Sequence, residues 1–211
     1  MSKIRDHQST QPVIRFKGFT DAWEKRKLGN LAEIVRGASP RPIQDPKWFD
    51  SSSEIGWLRI ADVTEQNGRI HHLEQHISKA GQEKTRVLTQ PHLLLSIAAT
   101  VGKPLINYVS TGVHDGFLIF LKPKFELEFM YQWLEYFRPY WQKYGQPGSQ
   151  VNLNSELVRN QSLHLPVVEE QIKIGHFGTI PCQVDTYKNE NTIFLIRPNR
   201  GNIPPRFGHF F

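Results

Sequence analysis

Cysteine is nearly absent from this sequence. Cys182 is the only one among 211 residues, which excludes an internal disulfide and leaves a cysteine-based zinc site without ligands. A reducing compartment, the cytoplasm, is therefore expected. Long apolar runs are missing too. Nothing approaches the roughly 20 consecutive apolar residues that cross a bilayer, and Met1 to Thr10 is polar where a secretory segment would be apolar, so neither membrane insertion nor export is expected. The signatures of several chemistries are also missing: an Asn-Pro-Pro-aromatic motif for amino methylation of a base, a glycine-rich cofactor loop, and a Pro-Asp followed by acid-x-Lys for a nuclease magnesium. Ala99-Thr100-Val101-Gly102-Lys103 resembles a phosphate loop only superficially, since a Walker A motif needs glycine where Ile97 stands and Ser or Thr where Pro104 stands. No catalysis, and no cofactor or metal within the chain, is expected.

Apolar and basic residues are plentiful. Hydrophobic residues make up 38%, with 13 Phe, 5 Trp and 6 Tyr, enough apolar surface to offset the entropy of ordering a core. Lys and Arg outnumber Asp and Glu by 26 to 20, a formal net charge of +6 and a pI near 9.5. That surplus suits a polyanionic partner if it gathers on one face.

A polar, flexible arm is expected over residues 1–12, followed by an apolar anchor, Ile14-Arg15-Phe16-Lys17-Gly18-Phe19 with Trp23. From there to Lys124, short apolar runs alternate with turn residues, the pattern of strands in a mixed sheet. The clearest strands are Gly56 to Ile60, Leu93 to Ile97, Leu105 to Val109 and Phe117 to Lys122. Ala38 to Ser53 and Thr64 to Arg86 read as too polar for core strands, and loops of that length usually carry function. Within Glu126 to Tyr140 the period changes. Phe129, Trp133 and Phe137, with Met130 and Leu134, form the core stripe of an amphipathic helix ending at Pro139. Asn154 or Ser155 caps a short helix, Ser162 to Leu165 is a strand ended by Pro166, and Glu169-Glu170 opens a carboxy-terminal helix. Phe177, Ile180, Val184, Tyr187, Asn191 and Phe194 have coiled-coil spacing, but Gly178 and Pro181 predict a break over 178–181. The expected organisation is thus an α+β domain over 13–166 with a mixed β-sheet and long loops, a coiled-coil-like, interrupted helix region over 167–197, and an irregular tail over 198–211.

Five stretches in a fixed order carry a resemblance: Ile14-Arg15-Phe16 to Trp23 with Leu28-Gly29; Arg36-Gly37-Ala38-Ser39-Pro40; Gly56-Trp57-Leu58-Arg59-Ile60-Ala61-Asp62; Leu94-Leu95-Ser96 to Val101-Gly102; and Leu165-Pro166-Val167-Val168-Glu169-Glu170-Gln171-Ile172-Lys173-Ile174. Together they resemble one half of the specificity subunit of a type I restriction-modification system, a target-recognition domain followed by a spacer helix. The resemblance implies a non-catalytic, sequence-specific reader of double-stranded DNA. It also implies modification and restriction subunits as partners, S-adenosylmethionine held by the modification subunit, and self-dimerisation as one way for a half-length subunit to read a symmetric site. A faint echo of the amino-terminal anchor, Pro205-Arg206-Phe207-Gly208-His209-Phe210, fits a chain that stops where a second half would begin.

Reading DNA needs phosphate contacts that set register and base-edge contacts that carry sequence. Arg36, Ser39, Arg41, Gln44 and Lys47, beside Trp48 and Phe49, are the first candidates; Ser96, Thr100 and Lys103 are placed near DNA by the resemblance. Gln146, Ser149, Gln150 and Asn152 lie on a Gly/Pro-rich turn and could bond base edges, since amides match adenine. Ile172, Val184, Tyr187 and Phe194 are the expected partner-binding positions. His114-Asp115-Gly116 reads as a turn rather than a His-carboxylate pair, and His72 with His76 as solvated surface rather than a metal pair.

Overall fold

The computed structural model describes residues 15–144 and 153–179. Ten strands and six α-helices alternate along them. In chain order they are β1 (Glu24–Lys27), α1 (Leu28–Leu31), β2 (Glu33–Arg36), β3 (Gly56–Trp57), α2 (Ile60–Glu65), β4 (Arg69–Ile70), α3 (Lys79–Gln82), β5 (Arg86–Leu88), β6 (His92–Ser96), β7 (Pro104–Asn107), β8 (Thr111–Val113), β9 (Phe117–Leu121), α4 (Leu127–Phe137), α5 (Ser155–Asn160), β10 (Ser162–Leu165) and α6 (Val168–Thr179). The expected mixed α+β class is what the structure has.

A five-stranded sheet ordered β2-β9-β6-β7-β4 is the frame, antiparallel except where β4 runs parallel to β7. Its central strands are buried at almost every position because both faces are covered. Along β6 and β9, Leu93, Leu95, Leu118 and Phe120 turn to a core shared with Met130, Trp133 and Leu134 of α4. The alternate residues Leu94, Phe117 and Ile119 turn to a second core with Leu58, Val63, Ile70 and Val113. That second core faces a small sheet ordered β3-β8-β5. The α4 stripe is core, as its period predicts: Phe129 is fully buried and Trp133 nearly so. Proline 139 does not stop the chain from coiling. The α-helix ends at Phe137, and a 3-10 turn continues over Arg138–Tyr144, where a proline near the start loses no bond that the turn requires.

Two expectations need correction. The strand predicted from Gly56 stops at Trp57, and Ile60 opens α2 instead, because Asp62 turns back to accept the Arg59 N–H at 2.8 Å and its guanidinium at 2.6 Å. The stretch from Thr64 to Arg86 is not free of core strands. It contributes β4, in which Ile70 is fully buried, and it sinks Ile77 and most of Leu73 into the interior. Its polar residues fooled the pattern because single apolar anchors, rather than alternating runs, hold it down. Strands β1, β2 and β8 escaped the sequence reading for a related reason: β1, with all its residues exposed, has no apolar period.

The domain closes where β1 pairs antiparallel with β10, from Glu24↔Leu165 to Lys27↔Ser162. Helix α6 then packs on α4. Gly175 permits the close approach, since a Cβ there would lie 3.0 Å from the Phe129 nitrogen, and Gln132 Nε2 donates to the Gly175 carbonyl at 2.8 Å. The acidic opening of α6 does more than complement a helix dipole. Glu170, fully buried, accepts two hydrogen bonds from Arg15 at 3.0 and 2.6 Å and one from Trp23 Nε1 at 3.2 Å. Gln171 accepts from the Glu126 N–H and donates to the Pro166 carbonyl. Phe16 meets Phe177 edge-on at 6.1 Å. The amino-terminal anchor is therefore real. Helix α6 is described as far as Thr179, and the rest of the expected break, with Pro181, lies outside the described residues. Because removing one partner of a buried ion pair strands the other charge, Glu170→Ala should cost about 3–5 kcal/mol. Urea denaturation of wild type and variant measures this directly.

Candidate nucleic-acid interface

The antiparallel order β2-β9-β6-β7 brings the end of β2, the start of β9, the end of β6 and the start of β7 to one end of the frame, with Arg36↔Leu118, Ser96↔Phe117 and Leu95↔Pro104 as the outermost pairs. Two of the candidate segments, 36–47 and 96–103, therefore meet there although their sequences are far apart. The turn between β8 and β9 joins them: Ala38 N–H donates to the Val113 carbonyl at 3.0 Å, and Ile97 N–H to the Gly116 carbonyl at 2.9 Å.

That turn is the organising piece. His114 and Phe117 close it through a backbone hydrogen bond, so the turn reading of His114-Asp115-Gly116 holds. The His114 ring accepts the Gly116 N–H at 2.9 Å and packs against Phe117 with ring centres 4.7 Å apart. Asp115 is left pointing at the β2 loop. One carboxylate oxygen accepts the Ser39 hydroxyl at 2.7 Å, and the other accepts Arg41 at 2.8 Å. Its backbone carbonyl accepts Arg36 Nε at 2.5 Å, and its N–H donates to the Ser39 hydroxyl oxygen at 3.3 Å. Burial acts to raise the Asp115 carboxyl, but the Ser39 hydroxyl and the Arg41 and Arg36 guanidiniums outweigh it and hold it below the usual carboxylate range. It is an anion surrounded by donors.

Arg86 joins this group from β5, donating to the Arg36 carbonyl at 2.8 Å. It was invisible as a partner of Arg36 in the sequence, fifty residues away, because only the sheet topology unites them. The group is braced from below: Thr85 donates to the carbonyls of Ala38 and Val113 at 2.6 and 3.0 Å. Gly37 is the point of closest backbone approach, where a Cβ would sit 2.1 Å from the His114 carbonyl oxygen. Arg36, Arg41 and Arg86 are all exposed on this frame, the Arg41 side chain to 75%.

Farther along the loop, Lys47 pairs with Asp45 at 2.8 Å and lies 4.5 Å from the Trp48 ring centre. Trp48 is buried, its indole donating to the Pro42 carbonyl at 2.9 Å, and Ser78 donates to the Lys47 carbonyl. This long loop is therefore pinned, with Gln44 exposed upon it. The second segment fares differently. Ser96 is fully buried and donates to the Ala98 carbonyl at 2.8 Å, and the Thr100 hydroxyl oxygen is buried as well. Both are withdrawn as DNA contacts: they shape a turn whose Gly102, at φ 79°, packs on Trp141. Lys103 remains, half-exposed. Gln146, Ser149, Gln150 and Asn152 lie outside the described residues, as do Val184, Tyr187 and Phe194. Ile172 is described and 53% exposed, in line with Val168 at 50% one turn earlier on α6.

His72 is exposed, as expected, but His76 is not simply solvated. Its ring contacts the Ser53 and Leu73 carbonyls and stitches the two long loops together. No grouping of three or more potential metal-ligating side chains occurs among the described residues. Nor is any helix among them long and apolar enough to cross a membrane.

A family model described as the type I restriction modification DNA specificity domain matches residues 20–179. The chain belongs to that family. Its matched span runs from the Trp23 anchor to the end of α6, so the β1–β10 closure and the Asp115 group both lie inside the specificity domain. The family is one of recognition domains, not of catalysts. Solved structures share the fold. The HsdS subunit from Thermoanaerobacter tengcongensis is 19% identical with a TM-score of 0.58, over 78% of this chain and 39% of that one. A structure describing complex assembly and conformational transition of the type I R-M system is 18% identical with a TM-score of 0.61, over 76% and 39%. The type I S subunit from M. genitalium is 11% identical with a TM-score of 0.53, over 79% and 40%. The matched part of the specificity domain thus spans about two-fifths of each of those chains.

Two measurements test this architecture. Gly37→Ala should destabilise by about 1–3 kcal/mol, the range of overpacking, since its Cβ meets backbone rather than a side chain that can swing away. Burial holds His114 below the ordinary imidazole value, so the unfolded chain takes up a proton first as pH falls through about 6.5. The stability present above that pH is progressively lost below it. His114→Gln, which cannot protonate there, should show a shallower fall between pH 7 and 5 in parallel thermal melts.

Proposed function

We propose that this specificity domain reads duplex DNA with the end of the sheet that carries Arg36, Ser39, Arg41 and Arg86, the adjoining loop adding Gln44 and Lys47. The observation that supports the reading most is the Asp115 group. Three arginines from separate elements are exposed at one place on a braced frame, and rigidly held guanidiniums suit both phosphates and the guanine edge in the major groove. Basic side chains on a floppy loop would gain affinity without register. Here β2, β5 and the β8–β9 turn fix the register.

On this reading the chain makes and breaks no bond. It directs a modification subunit, which holds S-adenosylmethionine, and in the full assembly a restriction subunit, to a DNA site. The outer face of α6, with Val168 and Ile172 exposed, is the surface proposed for the modification subunit, because exposed apolar residues one helical turn apart gain most from being covered.

Selection of bound duplexes from a randomised pool, at fixed salt and with the full chain and a modification subunit, tests the reading. The wild type should enrich one motif. Arg41→Ala with Arg86→Ala should weaken binding to that motif by at least tenfold, equivalent to about 1.4 kcal/mol, while thermal stability is retained. Enrichment that survives the double substitution unchanged would move the reading surface elsewhere.

A further inference from the structure

An acidic side chain at the centre of a DNA-facing basic group calls for an account, because it lowers the attraction for every phosphate nearby. Asp115 is not there for want of space. Its two carboxylate oxygens are separately engaged, by Ser39 at 2.7 Å and by Arg41 at 2.8 Å. The carboxylate is 35% exposed, while the arginine it holds is 75% exposed. An ion pair this open contributes little to folding. Its consequence lies in the charge and posture of Arg41.

Resting on the DNA-reading surface proposed above, we infer that Asp115 is a specificity-determining residue that acts as an electrostatic brake. It offsets the charge of Arg41 in the free protein and holds its guanidinium in a fixed pose. Non-specific binding, which is almost wholly a matter of phosphate neutralisation and counterion release, then gains little from Arg41. A correct site gains more, because the guanidinium carries five donors and only Nη2 is engaged with the carboxylate, leaving donors for a base edge in a pose already set. Arg36 is held differently, through the Asp115 backbone carbonyl, so its position survives a change of the residue 115 side chain, although it too feels the charge of the carboxylate. The brake therefore acts chiefly on Arg41, the one arginine that the carboxylate contacts, and leaves the backbone frame alone.

Asp115→Asn isolates the effect, since an amide keeps an acceptor for Ser39 and removes the charge. Affinity of the full chain is measured against a fixed duplex of unrelated sequence and against the enriched duplex, each across a salt series. For Asp115→Asn, binding to the unrelated duplex should tighten about three- to tenfold at low salt, and the log–log salt slope should steepen by about one. The preference for the enriched duplex should shrink by a similar factor. Arg41→Gln is the companion variant: it uncovers the Asp115 charge, so it should weaken binding to both duplexes, with a clearly larger loss on the enriched one. Unchanged non-specific affinity and slope in Asp115→Asn, with Arg41→Gln still impairing the enriched duplex, would overturn the brake and leave the reading surface standing. If Arg41→Gln altered neither duplex, both would fall. If Asp115→Asn failed to fold, a loss on the unrelated duplex for Arg41→Gln as large as on the enriched one would overturn the brake.

Discussion

One carboxylate sets the limits of this domain. Glu170 is fully buried and its charge would be ruinous there alone, yet it receives Arg15 through two nitrogens and Trp23 through a third. Its partners come from the opposite end of the described chain, separated from it by 155 and 147 residues. Glu170 is satisfied only where the amino-terminal anchor meets the first turn of α6. Arg15 in turn donates to the Asp21 carbonyl at 2.6 Å, which fixes the path into β1. The group sits between the β1–β10 ladder and the α4–α6 contact and ties the two together.

The proposed reading surface depends on a second close approach of the same economical kind. Gly37 lets β2 run against the β8–β9 turn without a side chain between them, and only that proximity puts Asp115 within reach of Ser39 and Arg41. The two clusters differ in what they do with charge. The buried carboxylate has its donors turned inward and serves cohesion, whereas the carboxylate of Asp115 holds an arginine that faces outward.

Much of this was legible in the sequence where apolar residues keep a period. The core strands β6, β7 and β9 show as short runs of Leu, Ile and Phe, and α4 shows as a four-residue recurrence of aromatics. Of the two residues that could cap the short helix, Asn154 does so, accepting the N–H groups of Glu156 and Leu157. Strands held by isolated anchors did not show. Ile70 and Ile77 are each surrounded by polar neighbours, so neither has a pattern to announce it. The candidate site was half legible. Arg36, Ser39 and Arg41 stand together in the sequence and meet in space, but Arg86 and Asp115 join them only through strand order, which no local signal encodes. Ser96 is placed near DNA by the resemblance alone, whereas its hydroxyl is occupied by a carbonyl two residues on.

The pairing of β1 with β10 has a mechanical corollary. The chain enters at Glu24 and leaves at Leu165, which are partners in the same ladder. A load applied through the flanking segments would act on one end of that ladder and open it pair by pair, as a zip opens, instead of shearing all its bonds at once. Short antiparallel ribbons resist peeling poorly. The grip of Arg15 on Glu170 lies just outside the zip, so any pull must first undo that grip before tension reaches the sheet that carries the arginines.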